Sequence, residues 1–184
     1  GRHPAQIASP IALDQAYDDP GEVFRIVRAT APYKLTATLQ NFGAEIRRAV
    51  GPNFRFIWHA RDAEPGTDGH FLLNNPHFIA AGRRLFGAEV VRPRSVMVNL
   101  TLPFDTQAWP HVDLPTFLGC DHNHVPDWMR GPMGNSGLFA RWALPVPAAV
   151  AWYYKGVGGE FEYWPHGTNR APEVVTSPMW NQAV

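Results

Sequence analysis

Proline lacks the amide donor that a helix interior needs, and glycine loses more backbone freedom on ordering than any other residue. Eighteen prolines and sixteen glycines are spread through these 184 residues. Regular helix is therefore limited, and short strands joined by frequent turns are the expected building blocks. Aromatic residues, 12% of the chain with seven tryptophans, supply large side chains suited to the space between sheets. Hydrophobic residues at 45% against charged residues at 17% give the balance of a folded domain, and residues 1–184 read as one domain.

Charge narrows the partners. Lysine plus arginine equals aspartate plus glutamate at 16 each, so no net field draws the chain to a nucleic-acid backbone or an anionic bilayer. A small organic molecule is the expected ligand. No apolar run approaches the roughly 20 residues of a membrane span. The stretch "GRHPAQIASP" lacks the apolar centre of a signal peptide, and the lone Cys120 suits the reducing cytoplasm.

Along the chain, "DPGEVFRIVRATAP" from Asp19 predicts a short helix, with proline at its first position and Pro32 beyond its end. "NFGAEIRRAV" (41–50) predicts a second, and "NPHFIAAGRRLFG" a third, capped by Asn75 and stopped by Gly87. "FRFIWHA" (54–60) is a strand and "RDAEPGTDG" an exposed loop. After Gly87 the texture turns to β, first in "AEVVRPRSVMVNLTLP". "CDHNHVPDWMRGPMGNSG" reads as a long surface loop, a lid or plain irregular chain. "PAAVAWYYKGVGGEFEYWP" predicts a hairpin turning at "KGVGG", with "PEVVT" as one more strand. A helical part to about residue 87 thus precedes a β core from about 88 to 184, an α+β chain that is mainly β.

The stretch "WPHVDLP" carries the chemistry. On extended chain, residues two apart project from one face, so the His111 imidazole and Asp113 carboxylate can close on one ion. Such donors suit Fe(II), which keeps open positions when three protein ligands hold it. The alternative is a surface histidine and aspartate in a turn.

His111-x-Asp113, followed about fifty residues later by "GGEFEYW" (158–164), resembles the Fe(II)- and 2-oxoglutarate-dependent dioxygenases. The likeness covers roughly residues 90–175. It implies a double-stranded β-helix, or jelly roll, with N-terminal helices packed against it, and a triad of His111, Asp113 and a distal histidine. It further implies that Fe(II), dioxygen and 2-oxoglutarate hydroxylate or desaturate a small substrate. Because halogenating relatives replace the carboxylate, Asp113 points away from halogenation.

The distal histidine departs from that pattern. Eighteen residues follow His166 and none is a histidine. Either a C-terminal segment lies beyond this sequence, or His166 in "YWPHGTNR" is the third ligand with Arg170 as anion partner, or the site is incomplete. The first is preferred, because "WPHG" reads as the turn leaving the preceding strand.

For the co-substrate, Arg141, Asn99, Arg94 and Tyr153 are the polar candidates, with Glu160 or Glu162 as competing partners for Arg141. Trp109, Trp152 and Trp164 line a cavity or fill the core. His122-x-His124 is a second metal candidate in a solvated loop. His59, His70 and His77 read as ordinary polarity. Cys120 has no activating setting, and no nucleophile elbow, phosphate loop or dinucleotide fingerprint occurs. The alternative function is a cupin-like jelly-roll protein that binds a small molecule without redox chemistry.

Overall fold

A computed structural model describes residues 10–29, 34–35, 55–61, 64–101, 111–120, 124–176 and 178–184. The helix expected over 41–50 lies outside them.

Helix α1 spans Pro20–Ala29. Asp19 caps it, its Oδ1 accepting the Glu22 amide at 2.9 Å. Glu22 in the first turn and Arg28 in the last complement the helix dipole. Val23 and Ile26, three apart, are buried on one stripe. On the outer side Arg25 forks onto Glu22, with both bonds at 2.7 Å, and reaches Asp68 at 2.8 Å. Those bonds hold the Glu22 carboxyl below its usual range and raise the Arg25 guanidinium.

Strands β1 (Lys34–Leu35), β2 (Arg55–Arg61) and β3 (Ser95–Thr101) form an antiparallel sheet in that order. β2 and β3 pair without a break from Arg55 opposite Thr101 to Arg61 opposite Ser95. Between them stand two helices. α2 (Asp68–Leu73) starts where the sequence suggested only loop, because the Thr67 hydroxyl accepts the His70 amide at 3.2 Å and caps it. α3 (Pro76–Phe86) begins and ends as its sequence requires. Asn75 Oδ1 accepts the His77 amide at 2.8 Å, and Gly87 takes the left-handed conformation with φ of 59°. Gly82 lets α3 approach Val91, since a Cβ there would lie 3.3 Å from Val91 Cγ1.

β4 (Thr116–Phe117) pairs with β5 (Ala143–Leu144), and α4 (Asp127–Ser136) and a 3-10 turn (Ala140–Trp142) connect them. The chain expected to be one long loop over 120–137 thus contains a helix. Pro132 lies within it, where proline removes one helix hydrogen bond and crowds the preceding turn, and Gly137 at φ of 70° ends it.

The expected hairpin is not formed. β6 (Ala151–Tyr154) pairs with β9 (Met179–Ala183), whereas β7 (Phe161–Tyr163) pairs with β8 (Glu173–Val175), the strand expected from "PEVVT". Gly158 and Gly159, at φ of 89° and 75°, redirect the chain instead of closing a two-stranded turn. The result is a mixture of helices and small antiparallel sheets that, among the described residues, do not close into a barrel. No helix among those residues is long and apolar enough to cross a membrane.

The core gathers distant parts of the chain. Ala16, Tyr17, Val23, Ile26, Leu72 and Ala183 are buried together, with Phe78, Val96, Val98 and Tyr153 packed around them. Its centre is a polar clasp. Pairing of β6 with β9 shifts between Trp152 opposite Gln182 and Tyr153 opposite Trp180, so Asn181 is the extra residue of a bulge, at φ of 58°. Its buried side chain accepts from the Tyr17 amide at 2.9 Å and donates to the Tyr17 carbonyl at 2.8 Å. Tyr153 donates its hydroxyl to the same Asn181 oxygen at 3.0 Å. Leu13 bridges Ala183, and Asn75 Nδ2 donates to the Ala16 carbonyl at 2.6 Å. The segment before α1 is thereby fastened to the last strand and to the α3 cap.

Candidate functional site

The His-x-Asp motif occupies residues 111–115, which have no regular secondary structure and run directly into β4. Its downstream end is fixed. Thr116 and Phe117 pair with Leu144 and Ala143, and the Leu118 amide donates to the Trp142 carbonyl at 2.8 Å. Phe117 is buried against Phe139, with ring centroids 6.0 Å apart. Leu114 sits over α4, its Cδ2 3.8 Å from where a Cβ on Gly131 would lie. His111 and Asp113 themselves are exposed. Trp109 and Pro110, upstream, lie outside the described residues, as does His122 of the second histidine pair.

His166 is exposed in the turn that leaves β7, where the Gly167 amide donates to the Trp164 carbonyl at 3.2 Å and Gly167 has φ of 87°. That is the turn its sequence suggested. Just before it, Tyr163 donates to Glu173 across the β7–β8 pair at 2.6 Å, and the carboxylate raises its phenol. Among the described residues no three or more His, Cys, Asp or Glu side chains are grouped to hold a metal ion. His111, Asp113 and His166 are thus not brought into one such group.

The co-substrate candidates fall in different settings. Arg141 is exposed, and its guanidinium stacks 3.7 Å from the Trp142 ring centroid, so it needs no buried carboxylate partner. Asn99 is exposed on β3, and Arg94 is exposed just ahead of it. Tyr153 is committed to the Asn181 clasp, and burial raises its phenol. Trp152 and Trp164 are half-buried, and Trp152 packs on Phe161 at 5.2 Å.

A concave site that no sequence motif marks lies among residues 17–76. A cleft of about 320 Å³ is lined by Tyr17, Asp18, Asp19, Phe71, Asn74 and Pro76, with His70 and Asn75 completing its wall. Two helix-start signals meet here, Asp19 before α1 and Asn75 before α3, together with His70 and Phe71 of α2. Both caps were legible alone, but their convergence was not. Tyr17 forms the floor, its hydroxyl donating to the Leu72 carbonyl at 2.7 Å. Burial pushes its phenol up to about 12, against a smaller opposing contribution from the Asn75 amide. At the rim Asp18 Oδ1 lies 2.8 Å from His77 Nε2.

Compared with protein-family models, with curated proteins and with solved structures, the chain gives no match.

Proposed function

We propose that the chain is an Fe(II)- and 2-oxoglutarate-dependent oxygenase that hydroxylates or desaturates a small organic substrate, with His111 and Asp113 as two of its metal ligands. The observation that carries this reading is the setting of the motif. It is an exposed segment whose following residues are fixed by β4–β5 pairing and by Phe117 burial, so an ion and its co-substrates can reach both side chains.

The donor chemistry fits. Imidazole and carboxylate are borderline-to-hard donors of the kind that hold Fe(II) with open positions. Bound there with 2-oxoglutarate and dioxygen, Fe(II) supplies oxidative decarboxylation to succinate and carbon dioxide, coupled to insertion of the second oxygen atom into a substrate C–H bond. The reading requires a third ligand, for which His166 is the histidine that this sequence offers. Arg141, exposed and lying over the Trp142 ring, offers its guanidinium to a 2-oxoglutarate carboxylate. The jelly-roll architecture draws support from the strand pairs, all of which are antiparallel among the described residues.

Anaerobic titration with Fe(II) followed by 2-oxoglutarate tests the reading. A weak visible charge-transfer band is expected, lost in Asp113→Ala. Absence of the band, or a band unchanged in that variant, overturns it.

A further inference from the structure

We infer that the cleft between the approach to α1 and the start of α3 is a binding site for a small organic cation, an ammonium group carried on an apolar body. Its volume of about 320 Å³ lies at the lower end of the roughly 300–1,000 Å³ of small-molecule sites. None of its lining residues belongs to the 111–120 stretch, so it is distinct from the proposed metal edge.

The apolar part of the ligand has a surface to rest on. Phe71 stacks on the buried Tyr17, with centroids 6.0 Å apart and an interplanar angle of 26°, and Pro76 also lines the cleft. Phe71 is 38% exposed. Aromatic faces attract both hydrocarbon and cations, the latter through the negative potential of the ring.

Charge selects the head group. The cleft is lined by two carboxylates, Asp18 and Asp19, and by neither lysine nor arginine. Each uses one oxygen locally: Asp18 Oδ1 lies 2.8 Å from His77, and Asp19 Oδ1 accepts the Glu22 amide. Among the described residues neither Oδ2 accepts a hydrogen bond. An ammonium donor answers those oxygens, whereas a carboxylate or phosphate meets like charge.

The floor is preorganised, which lowers the ordering cost of binding. Tyr17 is held at three points: its amide and carbonyl by Asn181, and its hydroxyl by the Leu72 carbonyl. Asn75 is buried and bonded to Ala16, to the His77 amide and to the Phe78 amide.

The test uses 2-phenylethylammonium as probe, with 2-phenylethanol and phenylacetate as its neutral and anionic counterparts, followed by amide NMR shifts at moderate salt. The ammonium should saturate with a Kd below about 1 mM and move the amides of residues 17–19 and 70–75. The alcohol should bind at least about tenfold more weakly, and phenylacetate should not saturate. Asp18→Asn with Asp19→Asn, which keeps the α1 cap, should weaken the ammonium at least about tenfold. Phe71→Ala, at an exposed position, should weaken it about threefold while leaving the fold intact. Equal binding of ammonium and alcohol, unchanged affinity in the double variant, shifts confined to other residues, or no saturation by about 10 mM each overturn the assignment.

Discussion

Asn181 is the residue whose replacement tests the core most directly. Its side chain makes three hydrogen bonds, two buried ones to the Tyr17 amide and carbonyl and a part-buried one to the Tyr153 hydroxyl, from a left-handed backbone at φ of 58°. Asn181→Ala removes all of these partners at once. A buried polar group left unmatched costs about 1–3 kcal/mol, and allowing for partial relaxation the three together cost about 4 kcal/mol. A Cβ without a compensating side-chain bond in the left-handed region adds about 1 kcal/mol. The total, about 5 kcal/mol, matches the whole stability of a marginal domain.

Asn181→Gly loses the same bonds but not the backbone fit, at the expense of greater freedom in the unfolded chain, so it should be more stable than the alanine variant by about 0.5–1 kcal/mol. Urea unfolding followed by tryptophan fluorescence measures both. Hydrogen exchange at Leu13, Ala16 and Ala183 should accelerate in each variant, because their amides bond within the clasp. An alanine variant within about 1 kcal/mol of the parent would refute the clasp. A glycine variant no more stable than alanine would refute the backbone part of the reasoning.

Three further outcomes are expected. The Tyr17 phenol is raised from 10.0 to about 12 in the folded chain, so its stabilisation is complete below pH 10 and is lost as pH rises through 12. Stability should fall there by up to about 1.4 kcal/mol per pH unit, and Tyr17→Phe should flatten that slope in alkaline melts. Asn75→Ala, which removes the α3 cap and the bond to Ala16, should destabilise by about 2–3 kcal/mol in the same urea assay, whereas Asn75→Asp should retain the cap share of about 1 kcal/mol. Asp113→Ala, at an exposed position, should leave stability within about 0.5 kcal/mol while removing iron-dependent absorbance. A coupled loss of both would mean that Asp113 is structural.

Most of what was legible in the sequence rests on partners within a few positions. The starts of α1 and α3, the stop at Gly87 and strands β2, β3 and β8 follow from capping chemistry, proline placement and β-branched content. α2 escaped notice because its cap, Thr67, sits in a proline- and glycine-containing stretch that reads as loop. α4 escaped because Pro132 and two internal glycines argue against helix by propensity. The hairpin expectation failed for a different reason: a glycine turn between two β-prone runs permits their pairing without enforcing it. β6 found β9 instead, across about thirty residues, where Asn181 and Ala183 are buried against Tyr17 and the α1 face.

The same division runs through the candidate sites. The sequence by itself determined the starts of α1 and α3, the stop at Gly87 and strands β2, β3 and β8, and it supplied His111 and Asp113 as a donor pair, because these depend on residues a few positions apart. Tertiary structure alone decided that Tyr17 is clasped by Asn181, 164 residues away, and that the starts of α1 and α3 meet at one cleft. Burial and long-range hydrogen bonding set those arrangements, since an unmatched polar group inside the fold is costly enough to choose its partner wherever in the chain it lies.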